Sequence, residues 1–358
     1  MNFTYQSFSN KIYFGEGQLK KINAIVKELG GSQLFVISTN RTKPIVDELV
    51  QSIGQKNVFH FSKVVQHVPK DLVQEALTLA KENRSNLIVA IGGGSAIGLA
   101  KGMALQNLLP ILAVPTTYAG SEMTNMYGIS SDGVKTVGRD NLVLPRSVIY
   151  DPSLTVGMPL SLAATSSMNA MAHLIEALYA HDSNPITYQM SLTGVRVLKE
   201  GMEQLISQKS LINQSGTVGN ANTNLQFGSY LAGKALCEVS MSLHHKAAHV
   251  LGGSFEMEHG KIHTVLLPYV LDFQLSGLSN AIIGDLQMAL NDQSPPNKLR
   301  NLAQQMGAAI TLQGIGFQEK RMQEAAGIIA SMKFPNPVGI TEDSIETLLT
   351  MAYEGRLH

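Results

Sequence analysis

The chain has 358 residues, with 27 Lys and Arg against 27 Asp and Glu and a formal net charge of zero, so nothing in its charge balance argues for a nucleic-acid partner. Its length exceeds what one hydrophobic core usually supports, and its single cysteine, Cys237, excludes disulfide frameworks and cysteine-based zinc sites within one chain. With neither a signal-peptide pattern nor an apolar run long enough to span a membrane, a cytoplasmic two-domain enzyme is expected.

In chain order, the helical segment INAIVKEL and a Gly-Gly pair lead into SQLFVIST (Ser32–Thr39), a β-branched strand ending in polar residues. NLIVAIGGGSAIGLAKGMAL (Asn86–Leu105) begins as a buried strand, breaks at three glycines and resumes at helical spacing. PILAVPTTYAGSE (Pro110–Glu122) is a third strand running into a hydroxyl-rich loop. Strands alternating with helices predict a parallel α/β sheet, whose ligands lie beyond the carboxyl ends of the strands. The loops at Thr39, Gly92–Ser95 and Thr116–Ser121 should therefore gather on one edge. After Asp151-Pro152 the apolar residues recur at three and four spacing, which predicts an all-helical second half. The resulting division is an α/β dinucleotide-binding domain over residues 1–152 and an all-α substrate domain over 153–358.

The segment VAIGGGSAIGLAK reads as strand, glycine turn and helix start, the arrangement that lets backbone N–H groups and a helix N-terminus approach a phosphate. It matches neither of the two familiar phosphate fingerprints, so a tight turn without a ligand remains open on the loop alone. The first strand ends Ser38-Thr39-Asn40-Arg41, with no carboxylate to hold an adenosine ribose and with Arg41 available to a 2′-phosphate or simply to solvent.

Five of the ten histidines fall between Ser242 and Pro268: His244, His245, His249, His259 and His263. His245 and His249 share a helix face, as do Asn169 and His173 in the segment NAMAH. Two such faces meeting across a cleft could surround one point with imidazoles, which suit a transition metal or proton handling. Against a metal, the position paired with His173 is an amide rather than a carboxylate. Glu176 stands as a possible hydrogen-bonding partner, and His244 and His263 read as bystanders.

Together, IGGGSAIGLAK, AVPTTYAGSEMTNMYGI, Lys135 upstream of VIYDPSLT, SSMNAMAHLIEALYA and HHKAAHVLGGSFEMEHGKIHTVLLP resemble the iron-containing alcohol dehydrogenase superfamily and, within it, the maleylacetate reductases. The resemblance implies a dehydroquinate-synthase-like fold, a homodimer and use of NADH or NADPH. It carries the metal-ligand positions over to Asn169, His173, His245 and His259, where the Asn departs from the metal-dependent pattern and implies a remnant that requires no metal. It assigns the pyrophosphate to Gly92, Gly93, Gly94 and Ser95, and the nicotinamide and ribose side to Thr116, Thr117, Tyr118, Ser121 and Lys135. Thr39 takes the place of an acidic ribose binder, and the loop Thr124–Gly128 departs from the branch pattern.

The implied substrate is a dicarboxylate enone, so reduction at the alkene carbon distal to the ketone would leave an enolate for hydrogen-bond donors to stabilise. Protonated or proton-donating histidines would serve, with His245 the principal donor and His173, His249 and His259 positioning substrate or relaying protons. Asn169 and Tyr118 would bind a carboxylate. The competing readings are a metal-dependent alcohol or polyol dehydrogenase, a lyase or cyclase of the dehydroquinate synthase type using NAD transiently, and a nucleotide binder without catalysis.

Overall fold

The computed structural model describes residues 2–65, 68–131, 134–209 and 220–357, with the side chains of Val134, Lys135 and Lys209 outside that set. The chain divides into two compact units, Ser7–Val156 and Gly157–His358, the latter together with Met1–Gln6.

The strands of the first unit are β1 (Lys11–Phe14), β2 (Leu34–Ser38), β3 (Val58–Phe61), β4 (Leu87–Gly92), β5 (Ile111–Pro115), β6 (Met126–Ser131), β7 (Val134–Arg139) and β8 (Ser147–Tyr150). Six of them form one parallel sheet in the order β1-β8-β5-β4-β2-β3, and β6 pairs with β7 in a separate antiparallel ribbon. The helices are α1 (Ile22–Glu28), α2 (Lys43–Ile53), α3 (Lys70–Glu82) and α4 (Gly94–Asn107). Successive residues of a strand point to opposite faces, and the two faces of this sheet are covered by different helices. Phe35 and Ile37 of β2, with Ile88 and Ala90 of β4, pack on α3 and α4. Their neighbours Leu34, Val36, Leu87, Val89 and Ile91 pack on α1 and α2. Burial on both faces explains why β2 and β4 read as continuous apolar runs.

The chain runs from β2 outward to β3, then returns past β2 to β4 and proceeds the other way to β5. The strand order therefore reverses between β2 and β4, the place where doubly wound sheets open a ligand crevice. Ser38 at the end of β2 stands in register with Ile91, and Gly92 at the end of β4 with Pro115 of β5. The three loops expected on one edge thus leave adjacent strands at the same level.

The second unit is helical: α5 (Leu160–Tyr179), α6 (Pro185–Lys209), α7 (Asn220–Glu238), α8 (Leu243–Ser254), α9 (His259–Gln274), α10 (Asn280–Leu290), α11 (Pro295–Gln305), α12 (Met322–Ser331) and α13 (Glu342–Glu354). Every residue of α5 from Ala163 to Leu178 is buried, the mark of a helix packed on all sides. α8 and α9 bury Leu243, Leu251, Ile262 and Leu266 against Ile329 of α12 and Leu349 of α13. Among the described residues no helix is long and apolar enough to cross a membrane.

Candidate active site

At the reversal point the glycine turn does what its composition predicts. Gly92 ends β4 at φ 156°, backbone that side chains other than glycine rarely adopt. Gly93 caps the N-terminus of α4, and a Cβ there would meet the Thr117 side chain at 3.0 Å. A Cβ on Gly94 would meet nothing within 4 Å, so the first turn of α4 faces open space, with no acidic residue in it. Bare helix N–H groups beside a loop carrying Thr116 and Thr117 form a cradle suited to phosphate. Thr39 and Arg41 are exposed next to this turn's neighbour strand, and Ser38 there bonds the His60 ring nitrogen Nε2 at 2.8 Å. Tyr118 is fully buried and Ser121 half-buried. Lys135 lies on β7 opposite Ser130, its side chain outside the described residues.

A buried lysine that the sequence reading passed over shapes the loop beyond Ser121. Lys101 of α4 is 1% exposed, and its ammonium donates to the Ser121 carbonyl at 2.6 Å, to the Thr124 carbonyl and hydroxyl at 2.8 Å, and to the Met126 carbonyl at 2.9 Å. These acceptors converge because a 3-10 turn, Ser121–Met123, curls the chain around the charge. The charge draws on buried Glu122 as well, whose carboxyl burial pushes up in pKa and whose Oε1 accepts from Tyr150 Oη at 2.6 Å. Beyond Thr124 the chain enters β6, so Met126–Gly128, expected as loop, is strand.

In the helical unit, α5 presents Asn169, His173 and Glu176, α8 presents His244, His245 and His249, and α9 presents His259 and His263. The rings meet. His173 stacks on His245 at 4.9 Å between centroids, His245 lies 4.9 Å from His263 and 6.4 Å from His249, and His259 lies 4.3 Å from His263. His173 and His245 are buried, whereas His249 and His259 are exposed, so the cluster has a floor and a rim. His244 and His263, expected as bystanders, are fully buried and bonded to each other at 2.8 Å, backing the rings in front of them.

Glu176 ties α5 to α8. Its Oε1 accepts the backbone N–H of His244 at 2.7 Å, and its Oε2 accepts that of Ser242 at 3.1 Å and meets His245 Nδ1 at 2.6 Å. It thereby caps a helix whose own N-cap residue, Ser242, directs its hydroxyl to Pro335 and Asn336 instead. Holding Nδ1 fixes the ring, and Nε2 of His245 is left buried without a hydrogen-bond partner among the described residues, as is Nδ1 of His173.

Burial also bears on the charge state of these rings. It lowers the pKa of His173 to about 3 and pushes His245 well below the usual histidine range, with the neighbouring histidines adding to both shifts. Burial raises Glu176 to about 7 against the hydrogen bonds from His244, Ser242 and His245. The histidines of the floor are therefore neutral, not imidazolium, at neutral pH. Glu176 and His245, in contact at 2.6 Å, share one hydrogen bond in which a proton can sit on either partner.

Residues 9–152 match the family described as iron-containing alcohol dehydrogenase, and residues 163–353 match the C-terminal domain of the same family. A maleylacetate reductase of Delftia acidovorans is 39% identical over 355 residues, covering 99% of both chains. The crystal structure of maleylacetate reductase from Agrobacterium tumefaciens superposes with a TM-score of 0.92 at 32% identity, covering 100% of both chains. That from Rhizobium sp. strain MTP-10005 gives 0.91 at 32% identity, covering 100% of this chain and 99% of that one. The chain belongs to the iron-containing alcohol dehydrogenase family.

Proposed function

We propose that the chain reduces maleylacetate, or a substituted analogue, to the corresponding 3-oxoadipate with NADH or NADPH. The observation that carries this reading is the histidine cluster behind Asn169, in which buried His173 and His245 are neutral and the Glu176 carboxylate is engaged by Nδ1 of His245 and two backbone N–H groups. Full-length similarity to proteins named maleylacetate reductase supports it.

Iron, which the family name implies, does not suit these residues. The position that begins the ligand set is the amide of Asn169, a weak and uncharged donor. Glu176, the carboxylate that meets His245, is committed to two backbone N–H groups and to Nδ1 of that ring. Among the described residues no three His, Cys, Asp or Glu side chains are placed to hold a metal. The mechanism we infer uses side chains alone.

The dinucleotide fits the cradle of Gly92, Gly93, Gly94 and Ser95, and its nicotinamide side is assigned to Thr116, Thr117, Tyr118, Ser121 and Lys135, with Thr39 near the adenosine ribose. When bound, the reduced nicotinamide supplies a hydride to the alkene carbon distal to the ketone. His245 Nε2 and His173 face the negative charge that develops on the ketone oxygen. A neutral imidazole donates there only with its proton on Nε2, which requires the shared proton to sit on Glu176 and bond back to Nδ1. The pair's raised carboxyl makes that arrangement available near neutral pH. The enolate carbon next to the ketone then takes this proton, and solvent at the exposed rim of His249 and His259 replaces it. Asn169 and Tyr118 hydrogen-bond a substrate carboxylate. The same reading makes the protein a cytoplasmic homodimer whose partner is a small dicarboxylate.

The test is loss of reduced-nicotinamide absorbance with maleylacetate, run with NADH and with NADPH. Stoichiometric consumption with 3-oxoadipate as product is expected. No consumption with maleylacetate, or turnover of simple alcohols and polyols in its place, would overturn the reading.

A further inference from the structure

The substrate proposed above carries two carboxylates, and the histidine floor is neutral, so a fixed positive charge should meet the dianion somewhere near His245. α8 supplies one candidate. Its buried residues are Leu243, His244, His245, Ala247, Ala248, Val250 and Leu251. The remaining stripe of the helix is Lys246, half-buried, His249, exposed, and Gly253, exposed. These stand three and four residues apart and so line up along one face. A Cβ built on Gly253 would meet nothing within 4 Å, which leaves the stripe bare at that end. His249, in the middle of it, lies 6.4 Å from the ring of His245.

The Lys246 ammonium makes no hydrogen bond or ion pair with any described residue, in contrast with the lysines around it. Lys261 on the next helix pairs with Glu258 at 2.7 Å, and Lys234 on the preceding one pairs with Glu238 at 2.6 Å. Lys246 follows His245 directly in α8, and its charge acts on Glu176, which it helps to hold deprotonated. Glu176 leaves no oxygen free to pair with it, since both accept backbone N–H groups. A half-buried cation next in sequence to His245, its head without a hydrogen bond or ion pair among the described residues, is poised for an anion from outside the chain.

We propose that Lys246 binds a carboxylate of the substrate and so sets the preference for a dianionic enone over a neutral carbonyl compound. The proposal rests on the maleylacetate reading. The pyrophosphate is not the expected anion, because the first turn of α4 already provides a backbone cradle for it.

The experiment compares wild type with Lys246→Met, which keeps the apolar stem and removes the charge, and with Lys246→Arg, which keeps the charge. Unfolding curves confirm that each variant is folded. Lys246→Met should raise KM for maleylacetate about 10- to 100-fold, the weight of one charge-assisted hydrogen bond. KM for the reduced nicotinamide should stay within about twofold, and Lys246→Arg should recover most of the loss, as a retained charge requires. An unchanged maleylacetate KM in Lys246→Met, or a rise in the cofactor KM instead, would overturn the role of Lys246 while leaving the proposed reaction standing. If wild type itself failed to reduce maleylacetate, the reaction would fall first and this proposal with it.

Discussion

The glycine turn of the first unit and the histidine cluster of the second are built from different materials. The cradle at the end of β4 is made of backbone: glycines at Gly92, Gly93 and Gly94, and the bare first turn of α4. The cluster on α5, α8 and α9 is made of side chains, held by a single carboxylate that caps one helix from another. A backbone cradle offers the same N–H groups whatever the neighbouring side chains are, so it serves to bind. A side-chain cluster can be retuned by one substitution, so in the proposed reaction it is the part that sets the chemistry. Changes in the cluster should therefore strike kcat, and changes in the cradle should strike the cofactor KM.

The largest effect is expected from His245→Ala. Removing the group proposed to deliver the proton should lower kcat about 10³-fold, while equilibrium binding of the reduced nicotinamide stays within about twofold. Equal losses in both would erase the contrast between the two regions. Next comes Glu176→Gln, which keeps the shape but cannot supply the shared proton, with an expected loss in kcat of about 100-fold. Its pH profile sharpens the point. Because the pair must carry its proton to deliver it, wild-type kcat should fall as pH rises through about 7, where burial has moved Glu176, and this limb should vanish in the variant. A limb that persists unchanged assigns the proton elsewhere.

Lys101→Met tests the frame of the loop rather than either site. It leaves the carbonyls of Ser121, Thr124 and Met126 converging on nothing. The expected cost is about 2 kcal/mol of stability, read from denaturant unfolding. The smallest effect belongs to Gly93→Ala, whose Cβ would press on Thr117 at 3.0 Å. A rise of about tenfold in cofactor KM with kcat nearly unchanged is expected if the backbone must approach the pyrophosphate closely. A fall in kcat alone would contradict the division of labour.

How much of this was legible beforehand follows from what each feature depends on. β2, β4 and β5 showed in the sequence because strands buried on both faces carry unbroken apolar runs, and their glycine and hydroxyl endings marked the binding edge. The four-residue strands β1, β3 and β8 are too short to show a period, and β6 mixes polar and apolar residues that are all half-buried. In the helical unit, the spacing of four between Asn169 and His173, and between His245 and His249, announced two faces. It could not announce the bond between His244 and His263, nineteen residues apart, or that burial would keep the floor histidines neutral. Both depend on what packs around a residue, which local pattern does not encode. Lys101 did leave a trace: it is the one charged residue between Gly92 and Asn107, set in an otherwise apolar helix. A lone charge there has to find buried partners, and it did.

The measurement closest to the central claim is turnover of maleylacetate by protein purified without chelator, its metal content determined, and then assayed again after exhaustive chelation. A reaction carried by the Glu176–His245 pair predicts the same kcat before and after, with metal well below one ion per chain. A stoichiometric divalent ion whose removal abolishes turnover, and whose return restores it, would contradict that account.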